Sequence, residues 1–417
     1  MNATQDAFAA LRYRDFSLVT LNQFCLTLAI LIQEIIVAYS LYKITKDPLT
    51  LGLIGLAEAI PYIALSLWGG YFADRFNKQT IMKICLFFAI PLPLVLWGLF
   101  HAYGLKQIEL STLSWGVYAV IFGLGTIRGF YNPSATSLKP FLIPREIYAN
   151  GATRTTIGWQ SGVIIGPMLG GFMLAFFGRE TSFISVAVLL SLCFLLVNLL
   201  SKRTFPKIET ERVLQSLGEG FRFIAKTKIV PWAISLDLVS VLFGGVIALL
   251  PIFAEDILKI GPEGLGYLRA APSIGALITM IALTRFPPTR HAWRNMLLAV
   301  AGFGLFTLLF AYSNYLWLSL FALAMTGACD SISVVIRQTI LQIYPPENMR
   351  GRVAAVNGMF VSSSNELGAF ESGLAAKYLG PVIATVFGGS MTLLVVAFSW
   401  AKTKDLFGVN ITQAEQK

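Results

Sequence analysis

The sequence predicts an all-α integral membrane protein with twelve transmembrane helices in two six-helix, pseudo-symmetric bundles. Three observations carry that expectation: apolar runs of membrane-spanning length recur along the chain, basic residues gather in alternate connections, and one segment repeats in the second half. Of the 417 residues, 56% are hydrophobic and 13% charged, and mean hydropathy is +0.69. A soluble domain carries about a quarter charged residues. Runs long enough for a hydrocarbon core of about 30 Å cover roughly 16–42, 50–72, 80–101, 113–136, 147–176, 181–200, 229–254, 263–284, 293–312, 315–343, 350–378 and 380–401. Membrane-barrel strands would alternate apolar and polar residues, so these spans are helices.

Span 1 follows a mixed polar segment with Arg12, Arg14 and Asp15. No short apolar core with a small-residue cleavage site precedes it, so it is expected to act as its own uncleaved insertion signal. The net charge of +10 raises a nucleic-acid reading, which the distribution of charge rejects. With both termini cytoplasmic, Lys43, Lys46, Lys106, Arg179, Lys259 and Lys377 fall outside and Arg128, Arg269 and Arg337 fall inside spans. The rest of the 32 Lys and Arg are cytoplasmic, which is the positive-inside pattern. The polar segment 201–228 separates a first bundle, 1–200, from a second, 229–417. Within it Val213, Leu214, Leu217, Phe221 and Ile224 recur at helical steps, which predicts an amphipathic helix on the cytoplasmic membrane surface, either a simple linker or a regulatory element. Gly55, Ala59, Pro61 and Ile63 recur as Gly266, Ala270, Pro272 and Ile274, making spans 2 and 8 equivalent in parallel repeats. Cys25, Cys85, Cys193 and Cys329 fall in spans without CxxC spacing and read as packing residues. Neither they nor His101 and His291 suggest a metal site.

Ionisable residues inside spans are functional candidates because each is costly in lipid unless paired or hydrated. They are Glu34, Glu58, Arg128, Asp237, Arg269, Asp330, Arg337, Glu366 and Glu371. Acids outnumber bases, and a carboxylate buried without a base can take up and release a proton near neutral pH. Asp330 and Arg337 stand two turns apart on one face of span 10. Glu34, beside Gln33, is expected in a hydrated cavity, and Glu371, toward the outer end of span 11, at the rim.

Residues 69–79 form the short polar break between spans 2 and 3: Gly69, Gly70, Tyr71, Phe72, Ala73, Asp74, Arg75, Phe76, Asn77, Lys78, Gln79. Gly70, Ala73, Asp74, Arg75 and Lys78 resemble the loop signature of the major facilitator superfamily, with Phe72 and Asn77 departing from it. Span 5 places Gly158, Gly162, Gly166, Pro167, Gly170 and Gly171 at four-residue steps, clearing a helix face for close approach. That pattern resembles the superfamily's antiporter signature, and ordinary small-residue packing is the competing reading. The resemblance implies that span 5 faces span 8 between the halves and that spans 1, 4, 7 and 10 line a central cavity. Asp237, Asp330 and Arg337 then form one cluster, for coupling or as a static ion pair. It also implies a conformational latch in which Asp74 meets the start of span 11 near Arg350 or Arg352, with glycines 69 and 70 letting span 2 lie tight against a neighbour.

Segments 249–254, 266–275, 330–339, 349–353 and 364–373, with Arg14, Asp15 and Phe16, resemble the bacterial branch of enterobactin-exporter-like and macrolide-efflux-like proteins. The implied function is a proton-coupled exporter, an antiporter of an amphipathic organic molecule such as a siderophore or drug, working by alternating access. Alternatives are a uniporter or importer of a lipid, metabolite or metal ion, and a receptor or enzyme on a transporter scaffold. No nucleophile–His pairing or phosphate-binding loop supports an enzyme. The expected setting is a monomer in the bacterial inner membrane, contacting lipid, with protons and a small molecule as partners and no cofactor. The topology is testable: thiol labelling of single cysteines should reach residue 106 from outside and residue 215 only from the cytoplasm, and the reverse pattern would overturn it.

Overall fold

A computed structural model defines residues 8–203 and 213–409; the expectations for 204–212 and the extreme termini lie outside the described residues. The described residues form helices and no strand, because in lipid each backbone N–H and C=O must be satisfied within its own segment. Among the described residues, eleven helical segments are long and apolar enough to cross a membrane. The expected eleventh span is a 33-residue helix, 347–379, that falls short on composition, since it carries Arg350, Arg352, Asn357, Asn365, Glu366 and Glu371.

The chain packs as two compact units. Unit 1 holds α1 (Arg14–Thr45), α2 (Leu49–Arg75) from Ala57 onward, α3 (Lys78–Gly104), α4 (Leu110–Leu138), α5 (Tyr148–Phe176) and α6 (Gly178–Asn198), with residues 261–266. Helix α1 is its core, with Phe16, Ile32, Ile36 and Leu41 at most 1% exposed. The glycine stripe of α5 packs here on α1. A Cβ at Gly162 would press on Thr27, at Gly166 on Leu31, and at Gly170 on Ile32 and Ile35. Gly171 meets the opening of the eighth span at Pro262 and Gly266, and the Pro167 carbonyl oxygen lies against Gly266. The expected approach to span 8 is thus made by Pro167 and Gly171, while the four-residue step of Gly162, Gly166 and Gly170 selects the face that lies along α1.

The α2–α3 turn explains the Asn77 departure. Its side chain caps α3 by accepting from the backbone N–H of Gln79 and Thr80, and its Nδ2 donates to the Arg203 carbonyl at 2.9 Å. Glycine, the residue that the loop signature has at this position, could do neither. Gly69 fits tightly on the Gly129 backbone of α4, whereas Gly70 has open space around it. The expectation that both glycines allow close approach is thus met by Gly69 only.

Unit 2 holds α7 (Val213–Lys226), α8 (Ile229–Gly244), α9 (Gly261–Arg285) from Tyr267 onward, α10 (Ala292–Ala311), α11 (Leu316–Ile343), α12 (Glu347–Leu379) and α13 (Pro381–Lys402), with residues 46–56. The helix expected in the linker is α7. It rests on α12: Gly220 fits against the Arg352 backbone, Phe221 meets Phe360 with ring centroids 5.5 Å apart, and Glu219 pairs with Arg352. Arg222 and Lys226 stay exposed.

The repeat read from sequence has a packing counterpart inside each unit. In unit 1 a Cβ at Gly125 of α4 would overlap the Glu58 carbonyl oxygen of α2. In unit 2 a Cβ at Gly327 of α11 would overlap the Pro272 carbonyl oxygen of α9, and one at Gly275 the Ala324 oxygen. Backbone cannot yield as a side chain does, and overpacking of this kind costs about 1–3 kcal/mol. Gly125→Ala and Gly275→Ala should therefore lower the melting temperature in detergent. Gly98→Ala, with nothing within 4 Å, should leave it unchanged or slightly raised, and equal effects in all three would refute the close-approach account.

Candidate functional site

Each unit carries a polar array among its membrane helices. In unit 1 a cavity of about 400 Å³ is lined by Gln23 of α1, Tyr62 of α2, Asn132 and Thr136 of α4, and Thr155 and Trp159 of α5, with Lys139 at the end of α4. Lys139 reaches this cavity because α4 runs on to Leu138 and passes into a single 3-10 turn, Lys139–Phe141. Its Nζ donates to Gln23 Oε1 at 3.3 Å. Beside the cavity the Arg128 guanidinium lies over the Tyr62 ring at 5.5 Å and pairs with the Glu58 carboxylate. Buried Asn22 holds three helices together: its Nδ2 donates to the Cys193 carbonyl at 2.8 Å and its Oδ1 accepts from the Tyr131 hydroxyl.

The unit 2 array is drier. The Asp237 carboxylate of α8 pairs with the Arg337 guanidinium of α11, and each side chain is 4% exposed. Asp330, two turns before Arg337 on α11, borders a narrow void of about 10 Å³ together with Asp237, Ser240 and Ser333, close to the smallest space that holds one water. Among the described residues Ser333 Oγ and Arg337 Nε have no hydrogen-bond partner. Two carboxylates and one guanidinium thus share a poorly hydrated site.

The structure brings Glu58 to Arg128, and Asp237 and Asp330 to Arg337. Other expected residues lie outside both arrays. Glu34 is half-buried on α1 beside Gln33, whose buried Nε2 has no hydrogen-bond partner among the described residues. Arg269 donates to the Ile247 carbonyl at 3.2 Å, and the Glu366 carboxylate lies against Gly55. Lys377 pairs with Asp47 at 2.9 Å. In the loop motif, Arg75 stacks on Tyr71 at 4.5 Å, and Lys78 is buried with its Nζ 5.5 Å from the centre of the Phe141 ring. Of the two arginines at the start of α12, Arg352 is engaged by Glu219 and Arg350 is exposed. Sequence reasoning missed Lys139, Gln23, Tyr62 and Trp159. Lys139 falls just past the apolar run of span 4 and reads there as one more cytoplasmic charge.

A sequence profile described as Major Facilitator Superfamily matches residues 19–369. The chain belongs to the major facilitator superfamily. The protein is a transporter rather than an enzyme, built as twelve membrane helices in two six-helix bundles. It is similar to the multidrug efflux pump Tap of Mycolicibacterium fortuitum, 24% identical over 82% of this chain and 84% of that protein. It is equally similar to the enterobactin exporter EntS of Shigella boydii serotype 18 and of Escherichia coli, 24% identical over 91% of this chain and 89% of theirs. Solved structures share the fold: the nucleoside transporter NupG with a TM-score of 0.74 at 12% identity, covering 93% of this chain and 99% of that one. A bacterial homologue of the iron transporter ferroportin gives 0.72 at 14% identity, covering 93% and 98%.

The major facilitator scaffold leaves the Asp237–Arg337 pair in a dry setting. Breaking a buried pair by removing one charge costs about 3–5 kcal/mol, because the other charge stays uncompensated. Arg337→Gln, which leaves the Asp237 and Asp330 carboxylates without their base, should therefore destabilise the purified protein strongly in thermal melts. The exchange Asp237→Arg with Arg337→Asp should recover most of the loss, and a wild-type melting curve for Arg337→Gln would show that the pair bears no load.

Proposed function

We propose that the protein is a proton-coupled exporter of an amphipathic organic molecule, with the unit 1 cavity as substrate chamber and the unit 2 cluster as proton site. The observation that carries the proton site is the second acid. One carboxylate suffices to balance Arg337, so Asp330 beside Asp237 leaves an excess negative charge in a space barely wide enough for one water. A proton on the carboxylate pair removes that excess, and releasing it restores the attraction for Arg337. Protonation and deprotonation therefore favour different packings of α8 and α11. Outward direction is supported by the relatives, named as an efflux pump and an exporter. In this reading the protein sits in a bacterial inner membrane with both termini cytoplasmic, as the basic residues argue.

The loop acid Asp74 takes its place as the proposed latch, meeting the N-terminus of α12 when the cytoplasmic side closes. Because Glu219 engages Arg352, the latch in this reading takes Arg350 or draws Arg352 away from α7.

Transport by purified protein in vesicles tests the coupling. With a pH gradient imposed, Asp330→Asn should reduce net substrate movement to the gradient-independent level while substrate–substrate exchange continues. Each charge moved through 100 mV is worth about 2.3 kcal/mol, so loss of coupling is read directly as loss of accumulation. Full gradient-driven accumulation by Asp330→Asn would reject Asp330 as the proton carrier.

A further inference from the structure

From the unit 1 cavity we infer the charge class of the cargo: an organic anion with an aromatic body, its anionic group held by Lys139. The inference rests on the reading of that cavity as the substrate chamber. Lys139 is the charged residue among those lining the cavity, and the lining holds no acid. Its amino group makes one hydrogen bond, to a neutral amide oxygen at the long distance of 3.3 Å, and no described carboxylate forms an ion pair with it. A lysine has three N–H donors, so two remain for a ligand. The neighbouring charges do not change this balance, because Arg128 is matched by Glu58. Ionisable groups within membrane spans ordinarily pair with opposite charge; here the pairing partner is absent from the protein's own described residues, and the cavity beside it has room for one.

The remaining walls describe the rest of the ligand. Trp159 is 47% exposed and shares the lining with Tyr62, so two aromatic side chains border the cavity. Thr136, Thr155 and Asn132 supply neutral hydrogen-bonding groups. A metal cation finds no ligand set here, and an organic cation would be repelled by Lys139. A carboxylate, sulfonate or phosphate on a flat apolar body fits every wall. The same anionic chemistry also exists on lipid headgroups, so the test separates the two sources.

The protein in phosphatidylcholine nanodiscs is titrated with 1-naphthoate, neutral 1-naphthamide and cationic 1-naphthylmethylammonium, and empty discs are subtracted. Charge-assisted hydrogen bonds are roughly twice as strong as neutral ones, so naphthoate should bind about tenfold more tightly than the amide. Lys139→Gln should abolish that preference and Lys139→Arg should retain it. Tyr62→Ala and Trp159→Ala should weaken anion and amide together. If those two variants weaken binding but Lys139→Gln leaves the preference intact, the anion assignment is overturned and the chamber stands. If no cavity variant changes the binding of any probe, or wild type binds none, both readings fall. Repeating the titration with phosphatidylglycerol in the disc identifies the source. Unchanged naphthoate affinity supports a soluble organic anion, and a drop of more than about tenfold assigns the subsite to lipid phosphate and overturns the proposal.

Discussion

Where α2 meets α4, the Glu58 carbonyl oxygen fills the space that a side chain at residue 125 would need, and where α9 meets α11 the Pro272 oxygen does the same at residue 327. Lipid gives helices no hydrophobic reason to associate, so their contact depends on backbones coming close enough for dispersion and polar contacts to act. These glycines fix more than packing. Arg128 follows Gly125 by three residues and Asp330 follows Gly327 by three, so each charged group projects less than one turn from a contact that cannot shift. The carbonyl that Gly125 accommodates belongs to Glu58, whose carboxylate pairs with Arg128. A larger residue at 125 would separate the helices and the ion pair at once.

The two arrays differ in how charge is settled. In unit 1 the Glu58–Arg128 pair is partly open, with side chains 15% and 32% exposed, whereas Asp237 and Arg337 are each 4% exposed. Dehydrating two ions often costs more than their attraction returns. A pair as enclosed as the second is therefore poor evidence of stabilisation, and the proposed proton cycle gives it a purpose that packing alone does not. The third member, Asp330, makes the site responsive to pH in that proposal, since a balanced pair in isolation has little to gain from a proton.

The fold was legible because its signals are long and redundant: apolar runs, charge asymmetry and a repeat all agree. The candidate sites were legible only in part. Asp237, Asp330 and Arg337 announced themselves as charges in apolar sequence, and helical spacing placed the last two on one face. Glu58 and Arg128 stood out equally, but nothing in a 70-residue separation says that they meet. The glycine stripe of α5 was visible, yet its partner was not, because a smooth face can serve any neighbour; the structure gives Gly162, Gly166 and Gly170 to α1. Lys139 was hidden by position. Past the end of an apolar run, a lysine that turns toward water and one that turns into a cavity look alike, and only the 3-10 turn at Lys139–Phe141 and the Gln23 acceptor distinguish them.

A shared frame with unlike charges also bears on energetics. Position three after the close-contact glycine holds a base in α4 and an acid in α11, so duplicated scaffolds carry opposite chemistry. In the proposed division of labour, unit 1 presents a net positive lining and unit 2 a net negative one. A proton moving inward and a monoanion moving outward both carry positive charge toward the cytoplasm. With the inside negative, such an exchange draws on the membrane potential twice per cycle, about 4.6 kcal/mol at 100 mV, in addition to the pH gradient. Export of a cation against one proton would draw on the potential not at all. The unbalanced lysine of the first array and the unbalanced acid of the second are, on this reading, two halves of one electrical argument.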